Sequence, residues 1–107
     1  MIAGCDDVEE CNRQCAAQQP TACVTAGHLY EFGRGVPADI SRAFQLYIQA
    51  CNLKFAGGCY NAAVLLDTGK GVDKDTRRAH ELYAKVCAMG SKTACARATD
   101  LSEPGKT

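Results

Sequence analysis

The sequence predicts an all-α protein, a solenoid of about three 36-residue repeats stapled by disulfides. Three observations predict this fold: residues of one type recur at a single fixed interval, apolar residues within each interval follow a helical period, and cysteines occur in regularly spaced pairs. The chain has 107 residues, of which 8 are cysteines. A fixed period of this size is typical of stacked supersecondary units, each of which buries its apolar face on the next.

The 36-residue interval is clearest in the cysteines. Cys15, Cys51 and Cys87 are 36 residues apart, and a second series of cysteines keeps the same interval. That series and the other matching triplets are Cys23, Cys59 and Cys95; Ala26, Ala62 and Ala98; Leu29, Leu65 and Leu101; and Gly33, Gly69 and Gly105. Because different residue types share one offset, the chain is predicted to be an array of similar units.

Within each unit the apolar residues have the spacing of a helix. Ala43, Leu46, Tyr47 and Ala50 lie at positions i, i+3, i+4 and i+7, which places them on one helical face. The same reasoning predicts six helices, near residues 6–17, 20–32, 39–53, 56–68, 75–89 and 92–102.

These helices are expected to form a single domain that covers residues 1–107, since a chain of this length supports one small core. The helix near 6–17 is expected to act as a cap. The repeats are expected at about 20–53 and 56–89, with a partial repeat at 92–107.

The predicted helix ends carry capping residues. Asp39 and Asp75 are expected N-caps, because a carboxylate there accepts hydrogen bonds from free backbone N–H groups. Gly33 and Gly69 fit the left-handed position just past a helix end. Pro20 suits the first helical position, where its missing N–H is not needed.

Each C-x7-C pair is predicted to form a disulfide across a turn. On one continuous helix the two sulfurs would lie about 12 Å apart along the axis, beyond disulfide reach, so the chain must turn between them. We expect those turns at residues 18–20, 55–57 and 89–91. The predicted bridges, each pinning the end of one helix to the start of the next, are Cys15–Cys23, Cys51–Cys59 and Cys87–Cys95.

Charge and cysteine spacing exclude several kinds of partner. The 12 basic and 12 acidic residues cancel, so no net field attracts nucleic acid or an anionic membrane. The apolar runs are too short for a transmembrane segment. Zinc sites usually contain C-x2-C or C-x4-C pairs, which this sequence lacks, so disulfides are favoured over a metal and an oxidising compartment is implied. We expect no cofactor.

Cys5 and Cys11 lie outside the pairing scheme, and three states of Cys5 are open. A Cys5–Cys11 bridge requires Cys5 in a non-helical lead. A lipid anchor at Cys5 is the second, because residues 2–5 (Ile-Ala-Gly-Cys) are similar to the end of a bacterial lipobox. A free thiol is the third. Cys11 stands where Tyr47 and Tyr83 stand in later units and is expected to fill a core position.

The repeated residues resemble the Sel-one-like repeat family, in its cysteine-rich branch typified by the Helicobacter cysteine-rich proteins. The similarity covers roughly residues 11–103, and residues 22–30, 33–36 and Asp39 carry it together with the C-x7-C pairs. It implies a right-handed superhelix of α/α units and a role in protein–protein interaction outside the reducing cytosol. Some family members bind or weakly hydrolyse penicillin derivatives, so the resemblance also implies an alternative, a binder of penicillin-like ligands or a weak enzyme.

Residues 10–15, Glu-Cys-Asn-Arg-Gln-Cys, are also similar to the opening of a mitochondrial intermembrane-space member of this family. That resemblance implies haem as an alternative ligand and the intermembrane space as an alternative location. The primary expectation is the periplasm, the cell surface or secretion, with a lipoprotein as one form.

The expected function is a scaffold that binds a partner protein or peptide on the concave face of the solenoid. No catalytic residues are predicted, because His28 and His80 lack an orienting carboxylate in the sequence pattern and the serines lack a catalytic context. The stripe opposite the paired cysteines is the expected partner-binding surface, and it comprises Thr25, His28, Tyr60, Asn61, Val64, Arg97 and Asp100.

Overall fold

The computed structural model describes residues 5–102, except for the side chains of residues 100–102. Within these residues every regular element is an α-helix, which confirms the predicted fold class. The six helices are α1 (Val8–Ala16), α2 (Pro20–Phe32), α3 (Ile40–Asn52), α4 (Ala56–Thr68), α5 (Thr76–Ala88) and α6 (Lys92–Ser102).

Each helix packs against the next one along the chain, and α2 also contacts α4. The result is an elongated stack with dimensions of 45 × 29 × 16 Å. One predicted repeat contains α2 and α3, and the next contains α4 and α5. Their first helices, α2 and α4, therefore lie side by side, as they do in an α/α solenoid. This arrangement repeats nearly the same surface from one helix pair to the next.

The core is built from small residues, disulfides and two large rings. Tyr47 of α3 and Tyr83 of α5 are the largest fully buried side chains, and both are 0% exposed. A second cluster lies at the amino-terminal end, where Cys11, Cys15 and Cys23 pack with alanines and Leu46. Cys11 thus fills a core position, as its alignment with the two tyrosines predicts.

The helix ends follow the predicted capping chemistry. Asp39 accepts a hydrogen bond from the backbone N–H of Arg42, and Asp75 accepts one from that of Arg78, both at 3.0 Å. Gly33 has a φ of 66° and Gly69 a φ of 71°, so both lie in the left-handed region that glycine adopts without strain.

The turn predicted at residues 55–57 is wrong by two residues. Helix α4 begins at Ala56, and the chain reverses at residues 53–55 instead. Lys54 makes this reversal with a φ of 69°, and Gln18 makes the equivalent one with a φ of 68°. The turn is predicted at Gly57 because glycine is typical of turns, but the residue with the left-handed conformation is Lys54.

Four disulfides link the described cysteines. Cys15–Cys23, Cys51–Cys59 and Cys87–Cys95 span the turns within α1–α2, α3–α4 and α5–α6, with Cα–Cα distances of 4.6, 4.5 and 4.5 Å. The fourth joins Cys5, in the non-helical lead, to Cys11. A sulfur in that bridge cannot also carry a lipid. Residues 2–4 of the lipobox-like sequence lie outside the described residues.

Candidate protein-binding face

The face formed by α2, α4 and α6 carries most of the residues expected to bind a partner. Ion pairs connect its successive helices. Lys70, just after α4, lies 3.6 Å from Glu31 of α2, and Arg97 of α6 lies 3.6 Å from Asp67 of α4. Glu31 and Asp67 are 36 residues apart, so the acidic member of each pair recurs with the repeat, whereas the basic member comes from a different repeat position. We call this surface the α2/α4/α6 face.

The first tyrosine junction is the contact of Tyr47 with α2. Its hydroxyl donates a hydrogen bond to Glu31 at 2.6 Å and lies 3.0 Å from Nδ1 of His28. Because the hydroxyl hydrogen goes to Glu31, Nδ1 of His28 is the donor in the second bond. Gly27 makes room for the ring, since a Cβ there would lie 2.8 Å from Cδ1 of Tyr47.

His28 is oriented by the hydroxyl of Tyr47, and the carboxylate of Glu31 accepts a hydrogen bond from the same hydroxyl. Burial raises the pKa of Tyr47, and the hydrogen bond to Glu31 and its negative charge raise it further. The phenol therefore stays protonated and holds both neighbours in position.

An aromatic and cationic patch adjoins the first junction. Phe32 is 57% exposed, its ring stacks on His28 at 6.1 Å between centroids, and Nζ of Lys70 lies 5.5 Å from its centroid. The exposed ring and the ammonium group of Lys70 therefore form one aromatic and cationic surface.

The second tyrosine junction is the contact of Tyr83 with α4 and α6. The ring of Tyr60 meets that of Tyr83 edge-on at 5.5 Å, and the guanidinium of Arg97 lies 5.9 Å from the Tyr83 centroid. Burial raises the pKa of Tyr83 to about 12, and the charge of Asp67 adds to this while that of Arg97 opposes it. Two of the predicted residues, Tyr60 and Arg97, thus converge on one buried phenol.

The other predicted residues are more scattered. Thr25 donates its hydroxyl to the backbone carbonyl of Thr21 at 3.0 Å. Asn61 and Val64 are half-buried on α4, and Val64 packs against the core. The side chain of Asp100 lies outside the described residues.

Sequence reasoning missed the polar residues that organise this face. The sequence pattern predicts Tyr47 and Tyr83 as packing residues only and assigns no role to Glu31 or Asp67. The sequence does contain a signal for these polar residues. Glu31 and Asp67 occupy one repeat position, three residues after the position where His28 and Val64 differ.

A shallow groove of about 280 Å³ lies on a different side, between α3 and α5. Ile48, Leu82 and Cys51 form its apolar part, and Arg78 and Lys85 are among its charged residues. His80, also on α5, donates Nδ1–H to the carbonyl of Ala98 at 2.8 Å, which accounts for its orientation.

Within residues 5–102 no three His, Cys, Asp or Glu side chains come together as a metal site would require. None of the helices in the same part of the chain has the length and apolar character needed to cross a membrane.

Comparison with known sequences decides the family. The sequence model described as the Sel1 repeat matches residues 20–55 and 56–91, more than half of the chain. The chain belongs to the Sel1 repeat family. Sel1 repeat proteins generally act as scaffolds for protein interaction rather than as enzymes. No curated protein sequence matched this chain.

Solved structures of other proteins have the same fold. Helicobacter pylori cysteine-rich protein B is 31% identical with a TM-score of 0.79, over 83% of this chain and 67% of that protein. A Sel1 repeat protein from Oxalobacter formigenes is 28% identical with a TM-score of 0.73, over 78% of this chain and 34% of that one. A protective antigen of uropathogenic Escherichia coli with an SLR fold, 24% identical, has a TM-score of 0.78 over 85% of this chain and 20% of that one. This last similarity concerns the fold alone.

Proposed function

We propose that this Sel1 repeat chain is a rigid scaffold that binds a partner protein or peptide through its α2/α4/α6 face. One observation carries the proposal: equivalent positions on a repeated backbone hold side chains of different chemistry. His28 corresponds to Val64, and Phe32 corresponds to Thr68. A regular backbone with varied side chains offers different contacts to successive parts of one partner.

The disulfides support this function because they make the face rigid before binding. Each C-x7-C bridge closes a loop of about nine residues, which stabilises the fold by about 2–3 kcal/mol in the chain-entropy model. A surface that is already ordered loses less conformational entropy when it binds. The scaffold therefore presents its side chains in fixed positions.

The same bridges support a location outside the reducing cytosol, where glutathione would keep thiols reduced. We propose the periplasm, the cell surface or secretion. The three repeat bridges and Cys5–Cys11 together use all eight cysteines of the chain. Catalysis is not part of the proposed function, because Sel1 repeat proteins are generally non-enzymatic scaffolds.

Selection of displayed peptides on the oxidised chain tests the proposal. Peptides that bind should lose affinity for a variant with His28→Ala, Asn61→Ala and Arg97→Ala. The matched control is a variant with Gln45→Ala, Glu81→Ala and Lys85→Ala, which changes three exposed positions on α3 and α5. Equal binding to both variants, with both folded by circular dichroism, would show that the α2/α4/α6 face is not the site.

A further inference from the structure

The hydroxyl of Tyr83 is buried and makes no hydrogen bond of normal geometry among the described residues, although Arg97 lies close enough for hydrogen bonding from its side chain to lower the pKa of this phenol. The whole residue is 0% exposed, so bulk water does not reach it. A buried polar group without a partner destabilises a fold, because it loses its hydrogen bonds to water and gains none in return. Such groups are rare in folded proteins, and each calls for a partner outside the chain or a functional reason.

The first tyrosine junction shows what the second one lacks. Tyr47 reaches both Glu31 and His28, whereas the equivalent positions around Tyr83 hold Asp67 and Val64. Aspartate is one methylene shorter than glutamate, and valine has no hydrogen-bonding atom. Tyr83 therefore occupies the repeat position of Tyr47, but the two groups that hydrogen-bond to the Tyr47 hydroxyl are replaced around it.

The groups around this hydroxyl have opposite charges. Asp67 is raising the pKa of Tyr83 and Arg97 is lowering it, so both charges act on the phenol. Arg97 is 49% exposed, and its distance of 3.6 Å from Asp67 is longer than that of a good charge-assisted hydrogen bond. An exposed, loosely held arginine can rotate and uncover the hydroxyl at little energetic cost.

We propose that Tyr83, Asp67 and Arg97 form a subsite for the carboxamide of an asparagine or glutamine side chain of the bound partner. This inference rests on the proposed function and names the chemistry of one contact on the α2/α4/α6 face. The carbonyl oxygen of the carboxamide accepts hydrogen bonds from Arg97 and from the Tyr83 hydroxyl. Its NH2 group donates to Asp67.

Charge complementarity selects the carboxamide over the alternatives. Asp67 repels a carboxylate, and Arg97 repels an ammonium group. An aliphatic side chain would cover the polar groups of Tyr83, Asp67 and Arg97 without hydrogen-bonding to them. The loss of binding free energy is then larger than for the same mismatch at an exposed surface. A carboxamide is neutral and carries a donor and an acceptor on one planar group.

The first experiment measures stability by urea unfolding of two matched variants, Tyr83→Phe and Tyr47→Phe. Tyr83→Phe should leave stability unchanged or raise it, because it removes an unpaired buried hydroxyl. Tyr47→Phe should lower it, because two hydrogen bonds are lost. An equal loss in both variants would overturn the inference, because it would show that the Tyr83 hydroxyl already has a partner, such as an internal water.

The second experiment measures ligand recognition by NMR. Four capped pentapeptides, alanine except for a central Gln, Glu, Lys or Leu, are titrated into the oxidised chain, and the Nε–H signal of Arg97 is followed. The Gln peptide should shift this signal at the lowest concentration, and Tyr83→Phe should weaken its binding about three- to tenfold. Equal binding to Tyr83→Phe, preference for Glu, Lys or Leu, or no shift with Gln would overturn the inference.

Two outcomes separate this inference from the proposed function. If peptides selected on the oxidised chain still bind Tyr83→Phe but not the variant at His28, Asn61 and Arg97, the subsite is wrong and the face is right. If those peptides bind that triple variant as well as the wild type, the proposed function itself is wrong.

Discussion

The hydroxyl of Tyr47 lies 2.6 Å from a carboxylate oxygen of Glu31, and this hydrogen bond ties α3 to α2. The second carboxylate oxygen of Glu31 lies 3.6 Å from Nζ of Lys70, which follows α4. Glu31 thus connects three consecutive segments of the solenoid. The contact with the buried tyrosine is expected to be the stronger one, because Lys70 is 53% exposed and its charge is screened by solvent.

Glu31→Ala and Glu31→Gln should therefore differ in stability. The alanine variant loses the acceptor of the Tyr47 hydroxyl, and its free energy of unfolding should fall by about 1–3 kcal/mol. The glutamine variant keeps an acceptor oxygen and loses only the carboxylate charge, so its loss should be smaller. Urea unfolding followed by circular dichroism measures both. Equal losses would mean that the charge of Glu31, and not its hydrogen bond, stabilises the junction.

Removal of the central bridge should have a large effect on stability and a small one on helix content. Replacement of Cys51 and Cys59 by alanine should lower the free energy of unfolding by about 2–3 kcal/mol, because the unfolded chain regains the entropy of a nine-residue loop. Helical circular dichroism at low temperature should persist, since Tyr47 and Tyr83 still pack. The control is the same comparison in excess dithiothreitol, where the difference should shrink. An unchanged midpoint in the oxidised state would contradict the prediction.

Lys54→Gly should stabilise the protein by about 0.5–1 kcal/mol. Lys54 has a φ of 69°, a left-handed conformation that strains a residue with a Cβ. Gly90, one repeat later, has a φ of 109°. The matched opposite change, Gly90→Ala, should destabilise the protein by at least as much. Thermal unfolding of the two variants checks the pair, and a less stable Lys54→Gly variant would show that its side chain stabilises the turn by more than the strain costs.

The repeat fold could be predicted from the sequence because its signals are local or periodic. Asp39 and Asp75 indicate helix starts by their chemistry, and the C-x7-C spacing is compatible with a bridge only if the chain turns within it. The tyrosine junctions could not be predicted in this way. The contact of Tyr47 with Glu31 depends on how two helices pack, and the different surroundings of Tyr83 depend on Asp67 and Val64 at the positions of Glu31 and His28.

The turn at Lys54 was missed for a related reason. Glycine marks most left-handed positions, and Gly57 lies close by, but the bridge and the packing of α3 on α4 impose the reversal on a lysine. The state of Cys5 was open for a different reason. A bridge between residues six apart depends on a non-helical lead whose path has no periodic signal.

Alkaline pH should destabilise the native state in part through Tyr83. Its pKa is raised to about 12 by burial, above the ordinary value of 10. The stabilisation from keeping it protonated is therefore complete below about pH 10 and is lost as the pH rises towards 12. Between these values the wild type should lose about 2–3 kcal/mol more stability than Tyr83→Phe. Parallel pH profiles for the two proteins, measured by urea unfolding, would contradict this.

The most direct test of the proposed function is site-specific photo-crosslinking in living cells of the source organism. A photoreactive phenylalanine analogue replaces Asn61 on α4 in one variant and the exposed Gln45 on α3 in the matched control. Binding through the α2/α4/α6 face predicts one discrete adduct with another protein from position 61 and none from position 45. The same adduct from both positions, or an adduct from position 45 alone, would contradict recognition by that face.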